Sequence, residues 1–197
     1  MLAPYLADAH TPPAFREMMT ASEVPIALVP AAIDDTTVTE LRARLTAAGL
    51  TPYALADRGR HGYNDTLRVD PLWDELARFA AGIAGAPVAL ARARWLVLRR
   101  GDYSLVKDDA KTRPPGRFLE LVLDLSPGAS GEAEMVYLDG TRAQAVLQLG
   151  GVLAVIDRTP TSTRYLRPPT VRSLGGFDIV RLFSQFQIVP TQPLPEV

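Results

Sequence analysis

With 197 residues, 47% of them hydrophobic and 22% charged, the chain has the size and composition of one ordinary globular domain with a full core. A formal net charge of -1 and a pI near 6.1 provide no general positive field for nucleic acid or an acidic membrane surface. Cysteine is absent, which excludes disulfides, thiolate nucleophiles and sulfur-ligated metal sites and fits a reducing compartment.

The opening MLAPYLADAH has no early positive charge and leads into no long apolar core, so no signal peptide is expected. No apolar run approaches the roughly 18 residues of a membrane helix. The expectation is a cytoplasmic protein. Pro12 and Pro13, followed by AFREMMTAS, permit a short first helix, and Pro25 to Val29 reads as a short buried strand. Thr37 and Glu40 have the form of a capping box. The helix they open carries Val38, Leu41, Leu45 and Ala48 on one face and stops at Gly49. Thr51 to Ala56 reads as a strand, whereas residues 57–66, DRGRHGYNDT, have the Gly, Asn and Asp content of an exposed loop. A second clear helix starts near Pro71, with Leu72, Leu76, Phe79, Ala80 and Ile83 on one stripe, and ends between Gly82 and Gly85.

After Pro87 no sustained helical stripe returns, and strands follow one another. Trp95 to Arg99 is one; Phe118 to Leu125 is another, with Glu120 and Asp124 on one face. A turn over residues 126–131 leads to Ala133–Leu138, and Asp139-Gly140 predicts a tight hairpin into Ala143–Leu149. Gly150-Gly151 precedes Val152–Ile156, and Asp178–Gln187 forms the last strand. The expected class is α+β: a double-stranded β-helix, jelly-roll and cupin-like, with N-terminal helices packed on one sheet. A single domain over 1–197 divides into a helical N-terminal portion (1–86), a β-barrel core (87–188) and a C-terminal tail (189–197).

A constellation of residues between about 70 and 186 resembles the Fe(II)/2-oxoglutarate oxygenases, in particular the prolyl-hydroxylase-like branch. A strand enters Arg100-Gly101-Asp102-Tyr103; an arm follows with Asp109; Arg117 opens the strand ending in Leu123-Asp124-Leu125-Ser126-Pro127; Gly131-Glu132 and Met135-Val136-Tyr137 come next, and Gly150-Gly151 precedes an apolar strand. No one of these elements is specific, but their order is. In that family the arm carries His-x-Asp, two of three iron ligands, and the resemblance places Lys107 at the histidine position and Asp109 at the aspartate position. The distal histidine position falls in DRTPTSTRYL, on Thr163 or a neighbour. The family's 2-oxoglutarate is held by a basic residue on the last barrel strand, which makes Arg181 the counterpart; Ser184, three residues on, cannot share its face on a regular strand.

Such an iron site needs two imidazoles and a carboxylate. The chain has two histidines, His10 and His61, both ahead of the barrel strands, and an ammonium cannot ligate while protonated. The resemblance therefore implies a pseudoenzyme: a binding, scaffolding or regulatory module with no cofactor expected. The alternative is an active 2-oxoglutarate-dependent dioxygenase with atypical ligands, His61 or a partner chain completing the site, and then Fe(II) and 2-oxoglutarate as cofactors. On an extended arm Lys107 and Asp109 would project to the same side, the ammonium neutralising the carboxylate where the metal's charge stood. The candidate vestigial pocket is thus Tyr103, Lys107, Asp109, Thr163 and Arg181. Against it stand plainer readings: a solvated loop for Lys107 and Asp109, an exposed loop histidine for His61, a solvated strand face for Arg92, Arg94, Arg99 and Arg100. The expected partner is a protein or a small molecule, with a homodimer through exposed strands as one form, and neither nucleic acid nor membrane.

Overall fold

The computed structural model describes residues 1–8, 11–21, 25–99, 101–126, 134–147, 150–167 and 178–189. His10, Arg100, Pro127, Gly131, Glu132 and the tail over 190–197 lie outside these. Strand β6 (Phe118–Asp124) is buried at every position, and this dictates the architecture, because a strand with two buried faces needs cover on both. Leu119, Leu121 and Leu123 join one hydrophobic cluster and Val122 a second.

The antiparallel sheet runs in the order β1 (Ile26–Val29), β9 (Leu153–Arg158), β6, β11 (Ile179–Ile188), β4 (Val88–Leu98), β3 (Gly59–Asn64), β5 (Tyr103–Ser104), β10 (Thr163–Leu166), β7 (Glu134–Asp139) and β8 (Arg142–Leu147), with β2 (Thr51–Leu55) paired to β3. Strand β3 joins two halves: Gly62, Tyr63 and Asn64 pair with β4, Gly59 and Arg60 with β5. The second cluster draws Leu96, Val122, Ile156 and Phe183 from one half and Met135, Tyr137, Val146 and Leu166 from the other. The sheet therefore curls into a double-stranded β-helix whose interior lies between the halves. Its outer face, Trp95, Val97, Val180 and Leu182 among others, packs against α1 (Thr11–Ala21), α2 (Asp35–Ala48) and α3 (Asp70–Ala84). This is the expected α+β jelly roll with helices on one sheet half.

Periodic segments lie where their periods place them. The five stripe residues of α3 are all buried, and Gly85, left-handed at φ 68, caps it. The Asp139-Gly140 hairpin closes with Asp139 opposite Arg142 and Gly140 at φ 60. Helix α2 begins two residues before the predicted Thr37 box, because Asp34 is the cap: its carboxylate accepts from the Thr37 N–H at 2.6 Å, and its end residue Ala48 is exposed.

Two further expectations fail. Residues 57–66 are not an exposed loop, since 59–64 form β3 with Gly59, His61 and Asn64 buried. The glycines that suggested a loop instead mark close approach: a Cβ on Gly59 would lie 2.7 Å from the Tyr103 carbonyl oxygen, and one on Gly62 3.1 Å from Leu50 Cδ1. The arm after Gly101 is not extended either. Val106–Thr112 form helix α4, too short to show a repeating apolar stripe. Gly59→Ala is expected to destabilise the fold by about 1–3 kcal/mol, as overpacking does, read as a lowered midpoint in urea unfolding.

Candidate functional site

Inside the barrel, where β6, β7, β9, β10, β11 and α4 converge, six polar side chains meet. Glu120 points inward from β6 beside Val122, and Arg158 ends β9 on the face of Ala154 and Ile156. On β10 the alternation buries Arg164 and Leu166 and leaves Thr163 and Tyr165 half-buried. Asp109 comes from α4, Tyr137 from β7 and Gln185 from β11.

Arg158 grips Asp109 with both terminal nitrogens, Nη1 to Oδ1 at 3.0 Å and Nη2 to Oδ2 at 2.6 Å. It also donates Nη1 to Glu120 Oε2 at 3.2 Å. Arg164 donates its backbone N–H to Asp109 Oδ2 at 2.9 Å and Nη1 to Glu120 Oε1 at 3.1 Å, with Nη2 3.3 Å from Asp109 Oδ1. Each carboxylate thus meets both guanidiniums, two negative charges against two positive. Glu120 takes two further bonds, from the Tyr137 hydroxyl at 2.7 Å and Gln185 Nε2 at 2.8 Å. Aromatic faces complete the cage: Phe118 and Tyr137 against Arg158, and Phe183 4.1 Å from the Arg164 guanidinium carbon. Glu120 and Arg158 are 0% exposed and Asp109 1%, so the charges are satisfied by each other and not by bulk water.

Burial alone pushes the Glu120 carboxyl up, but Arg164, then Arg158, and hydrogen bonds from Gln185 and Tyr137 outweigh it and hold the group at about 2. Burial and the Glu120 charge raise the Tyr137 phenol well above its usual range, so it remains a donor. Burial disfavours the charge on Arg158 and Arg164, yet Glu120 and Asp109 overcome it and raise both. A second buried pair lies four residues along the same strands, about 13 Å at the usual rise: Arg181 Nε donates to Asp124 Oδ2 at 3.1 Å, and the Ser126 N–H donates to Asp124 Oδ1 at 2.8 Å.

The predicted site residues separate. Lys107 does not neutralise Asp109: α4 replaces the extended arm, and residues two apart on a helix point away from each other. Its Nζ is 3.6 Å from Asp57 Oδ2 at the surface. Asp109 is buried rather than solvated, with Arg158 and Arg164 as its cations. Thr163, paired with Leu138, faces away from the cluster, and its neighbour Arg164 faces in, the one-residue step that reverses a strand's faces. Tyr103 lies on β5 with its hydroxyl donating to the Ala56 carbonyl at 3.3 Å. Arg181 faces inward with Phe183, and Ser184 takes the opposite face with Leu182 and Phe186. His61 is 3% exposed and stacks on Tyr53 with ring centroids 4.8 Å apart, so it is no exposed loop residue. Arg99 is exposed and turns to Asp178, whereas Arg92 and Arg94, on the opposite face of β4, turn to Asp65 with the Arg94 side chain only 15% exposed, so the four arginines do not form one solvated face. Sequence reasoning missed Arg158 and Arg164 as site residues. The available signal was Glu120, with Asp124, among apolar residues in a strand buried on both faces, since each such carboxylate demands a cation.

No protein-family model and no curated protein sequence matches the chain. Solved structures do match in fold. A prolyl-4-hydroxylase from Pseudomonas putida superposes with TM-score 0.66 and 16% identity over 91% of this chain and 100% of that one. An oxidoreductase of the 2OG-Fe(II) oxygenase family from Burkholderia pseudomallei gives 0.68 and 13% over 92% and 94%. The non-heme alpha ketoglutarate dependent carbocyclase SnoK from nogalamycin biosynthesis gives 0.64 and 17% over 83% and 79%. The chain thus has the fold of the Fe(II)/2-oxoglutarate oxygenases, prolyl hydroxylases among them.

Both Asp109 oxygens are engaged by guanidinium groups, Arg164 presents a cation beside them, and Lys107 points outward. Among the described residues, no three His, Cys, Asp or Glu side chains are grouped to hold a metal ion. Nor is any described helix long and apolar enough to cross a membrane.

Two outcomes test the cluster. Because the folded Glu120 carboxyl lies at about 2 and its ordinary value is 4.5, its stabilisation is complete above the ordinary value and is lost as pH falls toward the folded one. The loss is on the order of 3 kcal/mol. Urea unfolding followed across that window should show this acid slope in the native chain, and Glu120→Gln should flatten it. Arg158→Met leaves two buried carboxylates to share the single charge of Arg164 and is expected to cost about 3–5 kcal/mol, measured at neutral pH in the same assay.

Proposed function

We propose that this protein is a non-catalytic member of the oxygenase-like fold, a binding, scaffolding or regulatory module acting through a protein partner or small molecule. The observation that carries the reading is the bidentate clasp of Arg158 on Asp109, reinforced by Arg164. That carboxylate accepts three hydrogen bonds and lies 3.3 Å from a nitrogen of a second guanidinium, so a metal would have to displace or share these donors. Opening the clasp would expose a cost of several kcal/mol for the buried charges left behind. A cation still stands against the barrel aspartate, as electrostatics requires, but it is covalently part of the chain and offers no open coordination position. Chemistry that depends on such a position is therefore not assigned to this barrel, and its interior serves to hold the shape of the outer surfaces.

The test is anaerobic reconstitution with Fe(II), followed by desalting, metal analysis and measurement of succinate formed from 2-oxoglutarate in air. The expected result is well under one iron per chain, no 2-oxoglutarate turnover, and a melting temperature unchanged by Fe(II) or by chelator. One equivalent of iron together with 2-oxoglutarate turnover would overturn the reading in favour of an active oxygenase with atypical ligands.

A further inference from the structure

On the other side of the sheet from the ion cluster is a cavity of about 630 Å³, between α2 and the β2–β3 ribbon. Its base is the outer face of β4 and β11 at Val97 and Val180, and Leu45 of α2 and Leu50 wall it. Gly62 pairs with Val97 on this face and contributes no side chain, which lets Leu50 pack close against the ribbon as part of the wall. Alternation places Arg60, two residues before Gly62, and Arg99, two beyond Val97, on the same side, and Arg42 reaches in from α2. Asp102 and Asp178 are the carboxylates of the rim, so three guanidiniums face two carboxylates and one positive charge is left over.

The arginines retain donor capacity. A guanidinium has five N–H groups. Among the described residues Arg60 spends one on Asp102 at 3.0 Å, Arg99 one on Asp178 at 3.4 Å, and Arg42 one on the Leu125 carbonyl at 2.9 Å. The Arg60 and Arg99 side chains are 56% and 66% exposed, so their unused N–H groups are accessible to an incoming anion, which can bind beside the existing ion pairs without displacing them. A cavity of this size, apolar at its base with a few convergent charges at its rim, has the character of a small-molecule site.

We propose that this cavity binds an amphipathic organic acid, its carboxylate held by Arg60 and Arg99 and its apolar body lying over Val97, Val180 and Leu45. The site is separated from the barrel interior by the sheet, so it does not depend on whether the barrel is catalytic. The experiment is calorimetric titration of the full chain with decanoate, with decanol and 2-oxoglutarate as comparisons, each below its aggregation limit. Decanoate should bind one per chain. Decanol, without the charge, and 2-oxoglutarate, without the apolar body, should each bind at least about tenfold more weakly. The double variant Arg60→Gln/Arg99→Gln should lose at least about tenfold in decanoate affinity. Ala54→Phe, which places a ring from β2 into the cavity, should abolish binding while leaving the melting temperature within a few degrees. No decanoate binding at millimolar concentration, equal affinity for decanol, or unchanged affinity in both variants would overturn the assignment.

Discussion

A carboxylate on a central strand buried on both faces cannot remain unpaired, and much of the barrel interior is a response to that constraint. Glu120 has β11 on one side and β9 on the other, so its cation must come across the barrel or from a strand end. Arg158 supplies one at the end of β9 and Arg164 the other from β10 in the opposite half. Two guanidiniums around one carboxylate would leave an excess of buried positive charge. Asp109 balances it, and only a helical turn brings Asp109 in while carrying Lys107 out to Asp57. The conformation of the arm is thus set by the charge count inside the barrel more than by the weak local preference of a seven-residue helix.

Geometry decides whether such a network is tolerated. Removing ions from water costs several kcal/mol each, and Coulomb attraction offsets this only where the remaining donors and acceptors are also satisfied. Glu120 accepts four bonds, from Arg158, Arg164, Tyr137 and Gln185, which is the full capacity of a carboxylate. The planar guanidiniums lie against Phe118, Tyr137 and Phe183, surfaces that a compact, strongly hydrated ammonium would match less well. The choice of arginine over lysine at both inward positions is consistent with burial. Lys107, by contrast, is on the solvent side of the arm, where its hydration is retained.

Long segments with a repeating period were legible from the sequence alone. The stripe of α3, the alternation of β6 and the Asp139-Gly140 turn each encode their geometry within a few residues, and the succession of helices and strands that gave the fold class could be read from such segments. Strand β3 was not legible, because Gly59 and Gly62 serve close packing against Tyr103 and Leu50, a relation between separate segments of the chain. Helix α4 was missed because seven residues contain too few turns to display a stripe. At the candidate site the sequence singled out Asp109 and Arg181 but paired Asp109 with the wrong cation. Residue spacing names neighbours along the chain, whereas Arg158 and Arg164 reach Asp109 from 49 and 55 residues away.

A metal ion and a guanidinium meet the same first requirement in a barrel of this kind, since either places positive charge against an inward carboxylate. Their consequences differ. A metal leaves coordination positions for exchangeable ligands and must be acquired from solution, while an arginine ends in N–H groups that are all donors and is present from the moment the chain folds. On the proposed reading, an arginine in place of the metal keeps the positive charge against the inward carboxylate and removes the exchangeable position. On that reading, selection then acts on the surfaces that the barrel holds in place. The sheet separates the ion cluster from the arginine-rimmed cavity beside α2, so the face proposed to bind can change without disturbing the charges inside the barrel.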